Sequence, residues 1–342
     1  MKVAVVLFNL GGPDGPEAVE PFLRNLFSDP AIIALPAILR LPLARLIARR
    51  RAPVARAIYD HLGGGSPIVA ETQKQARALE AALTGMEARA FIAMRCWHPF
   101  SDGAAKAVKA YDPDHIVLLP LYPQFSTTTT ASSLKDWDRA AKKAGLKIPT
   151  ARICCYPDEP GFIATVAAHI RKRAQDLQPG LSYRLLLSAH GLPRRTIARG
   201  DPYQWQVEKS AAAVVKELAL PELESAVCYQ SRVGPLEWIG PATDAEIRRA
   251  GADGKGVIVA PIAFVSEHSE TLVELDIEYA RLAREAGVKD YRRAPTAGAE
   301  PQFIAGLANL VRQAIASSDT TISSTGGRIC PATFCRCGQE KN

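Results

Sequence analysis

The sequence predicts an α/β protein of two doubly wound domains, each a four-stranded parallel sheet with helices on both faces. Apolar, β-branched runs alternate with helix-like amphipathic segments along nearly all of the 342 residues. The runs fall into two groups of four, and the chain is long enough for two domains that each bury a core. The residues just after the runs are the polar and glycine-rich ones, as expected where ligands sit outside the carboxyl ends of parallel strands.

In the first half the expected strands are 2–8, 88–94, 115–121 and 150–155; in the second they are 183–188, 226–230, 256–264 and 290–293. Helical patterns lie between them at 71–83, 162–177, 204–218 and 271–286, and a last helix over 301–316 crosses back onto either domain. The expected domains are 1–156 and 157–318, followed by a tail, 319–342, whose Ser- and Gly-rich end carries cysteines and has little else to order it. The first run holds one cation, Lys2, and no cleavage site follows it, so it reads as a strand and not a signal peptide. The expected location is the cytoplasm, where seven cysteines are free thiols or metal ligands in preference to a disulfide framework.

Hydrophobic content of 47% with 23% charged residues excludes a disordered or fibrous chain. The net charge of +7 points to an anionic partner: nucleic acid, anionic lipid or a carboxylate-bearing small molecule. One stretch, 31–56, holds Arg40, Arg45, Arg49, Arg50, Arg51 and Arg56 and no acid, interleaved with Leu39, Leu41, Leu43, Leu46 and Ile47. Pro36 and Pro42 argue against one long helix there, and the arginines exclude a membrane span. An apolar, arginine-rich lip suits the surface of an anionic membrane, and an ordinary helical lid is an equal reading. Nucleic acid is set aside, because the stretch has no aromatic residue for stacking and aromatics make up only 7% of the chain.

Two strand exits carry chemistry. The run 183–188 leads into His190 and a Gly-Leu-Pro turn, which places an imidazole at a crevice. The run 256–264 ends at Phe264 and leads past His268 into a helix on which Glu270, Glu274 and Glu278 recur every fourth residue. Like charges at that spacing repel, so a cationic partner or a proton route would repay the arrangement; a solvated helix face is the plainer reading.

Taken together, Asn9-Leu10-Gly11-Gly12-Pro13, Gly63-Gly64-Gly65-Ser66-Pro67-Ile68, Leu121-Tyr122-Pro123-Gln124, Ser188-Ala189-His190, Gln230-Ser231-Arg232-Val233-Gly234-Pro235 and 268–279 resemble the ferrochelatases, which insert ferrous iron into protoporphyrin. The resemblance runs from about residue 3 to about residue 315 in one order. It implies two Rossmann-like domains of the class II chelatase type and a porphyrin site. His190 matches the family's active-site histidine, and Glu270 matches the carboxylate opposite it; both are expected to remove protons and handle the substrate iron. His268, Glu274 and Glu278 match an acidic path for iron or protons. Arg95, Ser188, Leu192, Trp238 and Phe264 are expected to bind the porphyrin. Where animal members carry a tyrosine after the arginine, this chain has Cys96, so ligation of iron at that position is not carried over.

The chemistry explains the residue types. Insertion displaces two pyrrole N–H protons, and an imidazole, with a reference pKa of about 6.5, is suited to accept one. The macrocycle must also bend, which a rigid apolar pocket can enforce. The resemblance further implies a [2Fe-2S] cluster on Cys330, Cys335 and Cys337, with Cys154 or Cys155 as the fourth ligand. The tail spacing is C-x4-C-x-C where the animal pattern is C-x2-C-x4-C, and the animal upstream cysteine aligns with Thr127. A structural zinc on the same thiolates is the competing reading. Partners expected are protoporphyrin IX, ferrous iron and the inner face of the membrane through a peripheral contact, with a homodimer left open. Iron insertion into coproporphyrin, cobalt or nickel insertion into another tetrapyrrole, and a non-catalytic haem or iron carrier are the alternatives.

Overall fold

The computed structural model of the chain describes residues 1–232 and 236–339. In chain order the elements are β1 (Lys2–Asn9), α1 (Val19–Phe27), α2 (Ala37–Asp60), α3 (Ile68–Ala82), β2 (Glu87–Met94), α4 (Ser101–Tyr111), β3 (His115–Pro120), α5 (Thr130–Ala144) and β4 (Thr150–Cys155). Then come α6 (Pro160–Ala174), β5 (Tyr183–His190), α7 (Arg194–Ala198), α8 (Tyr203–Leu218), β6 (Glu224–Gln230), α9 (Thr243–Ala252) and β7 (Gly256–Pro261). A π-helical segment, Glu270–Glu278, runs into α10 (Tyr279–Glu285), followed by β8 (Tyr291–Arg293), α11 (Pro301–Ala316) and β9 (Thr321–Ser323). The chain divides into two compact units, Met1–Cys155 with Leu307–Arg328 and Gly338–Asn342, and Tyr156–Gly306 with Ile329–Cys337.

The first unit is a parallel sheet in the order β2-β1-β3-β4-β9. β1 lies between β2 and β3, and its Val3 to Phe8 are buried on both faces, which is why it reads as an unbroken apolar run. Phe8 meets Trp137 of α5 edge to face at 6.1 Å over a core completed by Phe91, Val108 and Leu118. The turn after β1 needs its glycines: a Cβ on Gly12 would lie 2.5 Å from the Ser66 side chain. The second unit is a parallel sheet in the order β6-β5-β7-β8, with Leu186, Cys228, Val257 and Val259 packed against Ile247, Leu275 and Ala283. Every strand expected from the sequence is present, with ends moved by at most three residues.

Three expectations need correction. Residues 37–60 form one helix in spite of Pro42 and Pro53 inside it. Each proline removes one backbone hydrogen bond, but the buried Ala44, Ala48 and Ala52 recur every fourth residue, and Ala48 and Ala52 pack with Val19, Phe22 and Leu23, which holds the turns together. Pro36 sits at the N-cap, where it is harmless. The tail is ordered in two places: β9 pairs with β4 at Arg152↔Thr321 and Ile153↔Ile322, adding a fifth strand, and Ile329–Cys337 belongs to the second unit. The acidic helix is π-helical over Glu270–Glu278, a geometry that occurs most often at functional sites.

Candidate active site

The second unit gathers a polar cluster at the carboxyl ends of β5, β6 and β7. β5 and β6 pair in register through His190↔Gln230, so His190, Gln230 and Ser231 leave the sheet side by side. Nδ1 of His190 lies 2.6 Å from the Gly191 carbonyl oxygen. A carbonyl only accepts, so Nδ1 carries the hydrogen and a neutral ring keeps its lone pair on Nε2. That nitrogen lies 3.8 Å from Oε2 of Glu270, and both side chains are partly open to solvent.

Glu274, one turn on, is held by four donors. Oε1 accepts from the Ser231 amide at 2.9 Å and the Tyr279 hydroxyl at 3.1 Å; Oε2 accepts from Gln230 Nε2 at 3.1 Å and the Ser231 hydroxyl at 2.5 Å. Four donors fill the four acceptor sites of a carboxylate. Burial, followed by the charge of Glu270, nevertheless pushes the Glu274 carboxyl above its usual range. Ser231 Oγ also stands 3.2 Å from Glu270 Oε2, so one hydroxyl links the two acids. Ser231 has φ +61°, a left-handed conformation that is uncommon outside glycine and is found at sites under constraint. Gln230 donates a second time to the backbone oxygen of Glu270, at 3.0 Å, across the start of the π-helical segment.

His268 is buried beside the cluster; its Nδ1 lies 3.1 Å from the Ser266 carbonyl, the Phe264 ring meets it at 4.6 Å with the planes tilted by 59°, and burial lowers its basicity. Glu278 is exposed, so the acid row runs from the half-buried Glu270 and Glu274 to solvent. Leu192 and Trp238 border the same strand exit: Ile239 donates its amide to the Leu192 carbonyl, and a Cβ on Gly191 would touch the Trp238 ring at 3.3 Å.

The whole span 2–315 matches the ferrochelatase family. A ferrochelatase of Caulobacter vibrioides (strain NA1000 / CB15N) is 57% identical over 340 residues, covering 98% of this chain and 97% of that protein. One from Phenylobacterium zucineum (strain HLK1) is 56% identical over 342 residues, covering 98% of each. The chain belongs to the ferrochelatase family. It is therefore an enzyme of the metal-inserting lyase type, acting on a porphyrin with ferrous iron as substrate. Among solved structures, SirB from Bacillus subtilis with Fe3+ shares the fold at a TM-score of 0.53 and 15% identity, covering 93% of this ferrochelatase and 97% of SirB. CbiX, the terminal enzyme of siroheme biosynthesis in denitrifying bacteria, has a TM-score of 0.50 at 17% identity, with 92% of this chain and 99% of that one covered.

Two further expected site residues, Ser188 and Arg95, belong to different units. Ser188 is fully buried and donates to Gln230 Oε1 at 2.8 Å, with Thr243 Oγ1 at 2.9 Å, so it orients Gln230. Arg95 belongs to the first unit, where it pairs with the buried Asp29 at 2.8 Å and donates to Ser132 at 2.7 Å, on the wall of a cavity of about 340 Å³. Cys96 is buried away from solvent, and burial pushes its thiol up to about 12.

The five cysteines expected to hold a cluster do not form a ready metal site. Cys154 and Cys155 have their sulfurs 3.3 Å apart, Cys330 accepts from Gln206 Nε2 at 3.1 Å, and Cys335 lies 3.5 Å from the Arg199 carbonyl. Among the described residues no three His, Cys, Asp or Glu side chains come close enough together to hold a metal ion. These residues as arranged do not fit the cluster.

Sequence reading passed over Gln230, Ser231, Tyr279 and Tyr203 as site residues. Gln230 and Ser231 carried a usable signal, since Gln230 ends an expected strand and Ser231 follows it; 233–235 of the same motif lie outside the described residues.

Proposed function

We propose that this chain inserts ferrous iron into protoporphyrin IX to form protohaem, the terminal step of haem synthesis. The observation that supports it most is the His190–Glu270 pair. With Nδ1 committed to the Gly191 carbonyl, Nε2 is the free base. It can take a pyrrole proton as iron enters, and the carboxylate of Glu270 at 3.8 Å then stabilises the imidazolium that forms. Glu270 is the group left with an open oxygen for the incoming iron, because the acceptor sites of Glu274 are already filled. Phe264, Leu192 and Trp238 would hold the flat macrocycle by apolar contact.

The face of α2 opposite its alanine stripe supports a peripheral contact with an anionic membrane. Ile38, Leu39, Leu41 and Leu46 are exposed there beside Arg45, Arg49 and Arg50. No helix among the described residues is long and apolar enough to cross a membrane.

The [2Fe-2S] reading rests on the resemblance and on the supply of five thiols, and it would require the tail to rearrange around the metal. Freshly purified protein should be red-brown with a visible charge-transfer band lost in Cys335→Ser; colourless protein with one equivalent of zinc would replace the cluster by a structural zinc. Turnover of protoporphyrin and coproporphyrin, measured side by side with ferrous iron under anaerobic conditions, tests the substrate. Preference for protoporphyrin supports the proposal, preference for coproporphyrin moves the enzyme to the other substrate, and preference for cobalt or nickel removes iron from the reading.

A further inference from the structure

His190 is the last residue of β5, and its backbone carbonyl accepts a hydrogen bond from the Tyr203 hydroxyl at 3.0 Å. Tyr203 is buried and opens α8, thirteen residues further along the chain by its numbering. Its own amide is fixed by Asp201 Oδ1 at 3.0 Å. The turn that delivers it is covered by the tail. Gly200, at φ +93°, is packed so tightly that a Cβ would lie 2.5 Å from the sulfur of Cys335. The Arg336 amide donates to the Gly200 carbonyl at 3.2 Å, and Cys335 donates to the carbonyl of Arg199 at 3.5 Å. On the first turn of α8, the Phe334 ring lies 6.1 Å from that of Trp205, and the fully buried Gln206 donates to Cys330.

From these contacts we infer that Tyr203 is a positioning residue for metal insertion, and that the segment Ile329–Cys337 is the support that keeps it in place. The imidazole of His190 is aimed by its own backbone, since Nδ1 is tied to the next carbonyl in the chain. Fixing the His190 carbonyl therefore fixes where Nε2 points, and small misplacement of a proton acceptor lowers the rate without weakening binding. The tail meets the site through this turn. The inference rests on the reading of His190 as the proton acceptor.

Tyr203→Phe removes the hydroxyl and keeps the ring. The expected result is a kcat about tenfold lower with the KM for porphyrin and for iron unchanged. In a His190→Ala background the same substitution should cost nothing further, because there is no imidazole left to aim. Wild-type kcat in Tyr203→Phe, or equal fractional losses in both backgrounds, overturns the positioning role. Phe334→Ala tests the support: amide hydrogen exchange over 190–206 should quicken and kcat fall, with no added loss when combined with Tyr203→Phe. Unchanged exchange overturns the support, and this measurement also decides the matter if Tyr203→Phe does not fold. Wild-type turnover in His190→Ala alone would instead remove the His190 reading underneath, and it is read before either variant is interpreted.

Discussion

Replacing Glu274 by glutamine separates an anchored carboxylate from an iron-carrying one. Glutamine offers one oxygen and one NH2 group, so whichever way the amide turns, one N–H donor faces a donor, while the hydroxyl beside it can rotate and accept. That N–H belongs to the Ser231 amide on one oxygen, next to the Tyr279 hydroxyl, or to Gln230 Nε2 on the other, next to the Ser231 hydroxyl. Hydrogen bonds to a charged acceptor contribute about 1.5–3 kcal/mol each, and because Glu274 is half-buried the lower figure applies, giving about 1.5 kcal/mol. At roughly 2–4 °C per kcal/mol this is a fall of roughly 3–6 °C in the unfolding temperature by calorimetry. The KM for iron should stay within about twofold, since no acceptor site of Glu274 is open to a metal. Glu270→Gln is the contrasting variant: the single hydroxyl hydrogen of Ser231 is directed at Glu274, at 2.5 Å against 3.2 Å to Glu270, so stability should change by less than about 1 kcal/mol while turnover falls about a hundredfold. An unchanged melting temperature with a large rise in the KM for iron in Glu274→Gln would refute this reasoning and make Glu274 an iron station.

Three further outcomes are expected. Ser188→Ala leaves Gln230 Oε1 and Thr243 without their buried partner and should lower the stability by about 1–3 kcal/mol in urea, with slower turnover because Gln230 is no longer fixed. Glu224 is lowered to about 2 by hydrogen bonds from Arg184 and then Lys255, so its contribution is complete above its unfolded value of about 4.3 and is lost as pH falls toward 2; urea midpoints of Glu224→Gln should lose that acid slope. Joint replacement of Ile38, Leu39 and Leu41 by serine should weaken flotation with anionic vesicles at least about tenfold and leave the activity toward dispersed substrate intact; equal flotation makes α2 an ordinary lid.

Much of the fold was legible because parallel strands buried on both faces announce themselves as apolar runs: Val3 to Phe8 and Val257 to Ala260 could hardly be anything else. The strand ends were less legible. β5 extends two residues past the expected end to His190, since pairing with β6 through Gln230 is a backbone property that the polar sequence there conceals. β9 was missed for the same reason: it is three residues long, and only Ile322 in it is apolar. The π-helical turn leaves no mark in composition, because it changes which backbone groups pair and not which side chains are present. At the site, His190 was expected from its place at a strand exit and Glu270 from the four-residue spacing of the acids and the resemblance, and the structure sets the two side chains 3.8 Å apart. Ser188 came from the resemblance alone, and its burial against Gln230 of β6 and Thr243 of α9 is set by long-range packing that the sequence does not display. Tyr203 carries its signal in a long-range contact alone, so nothing local could have exposed it.

The central claim is that the imidazole of His190, its Nε2 beside Glu270, takes a proton from the porphyrin. Anaerobic metal insertion by His190→Ala, measured next to circular dichroism and thermal unfolding of the same sample, tests it most directly. Turnover at least about a hundredfold below wild type with the fold retained is the result the account requires. Turnover like that of the wild type from a folded His190→Ala protein would contradict it.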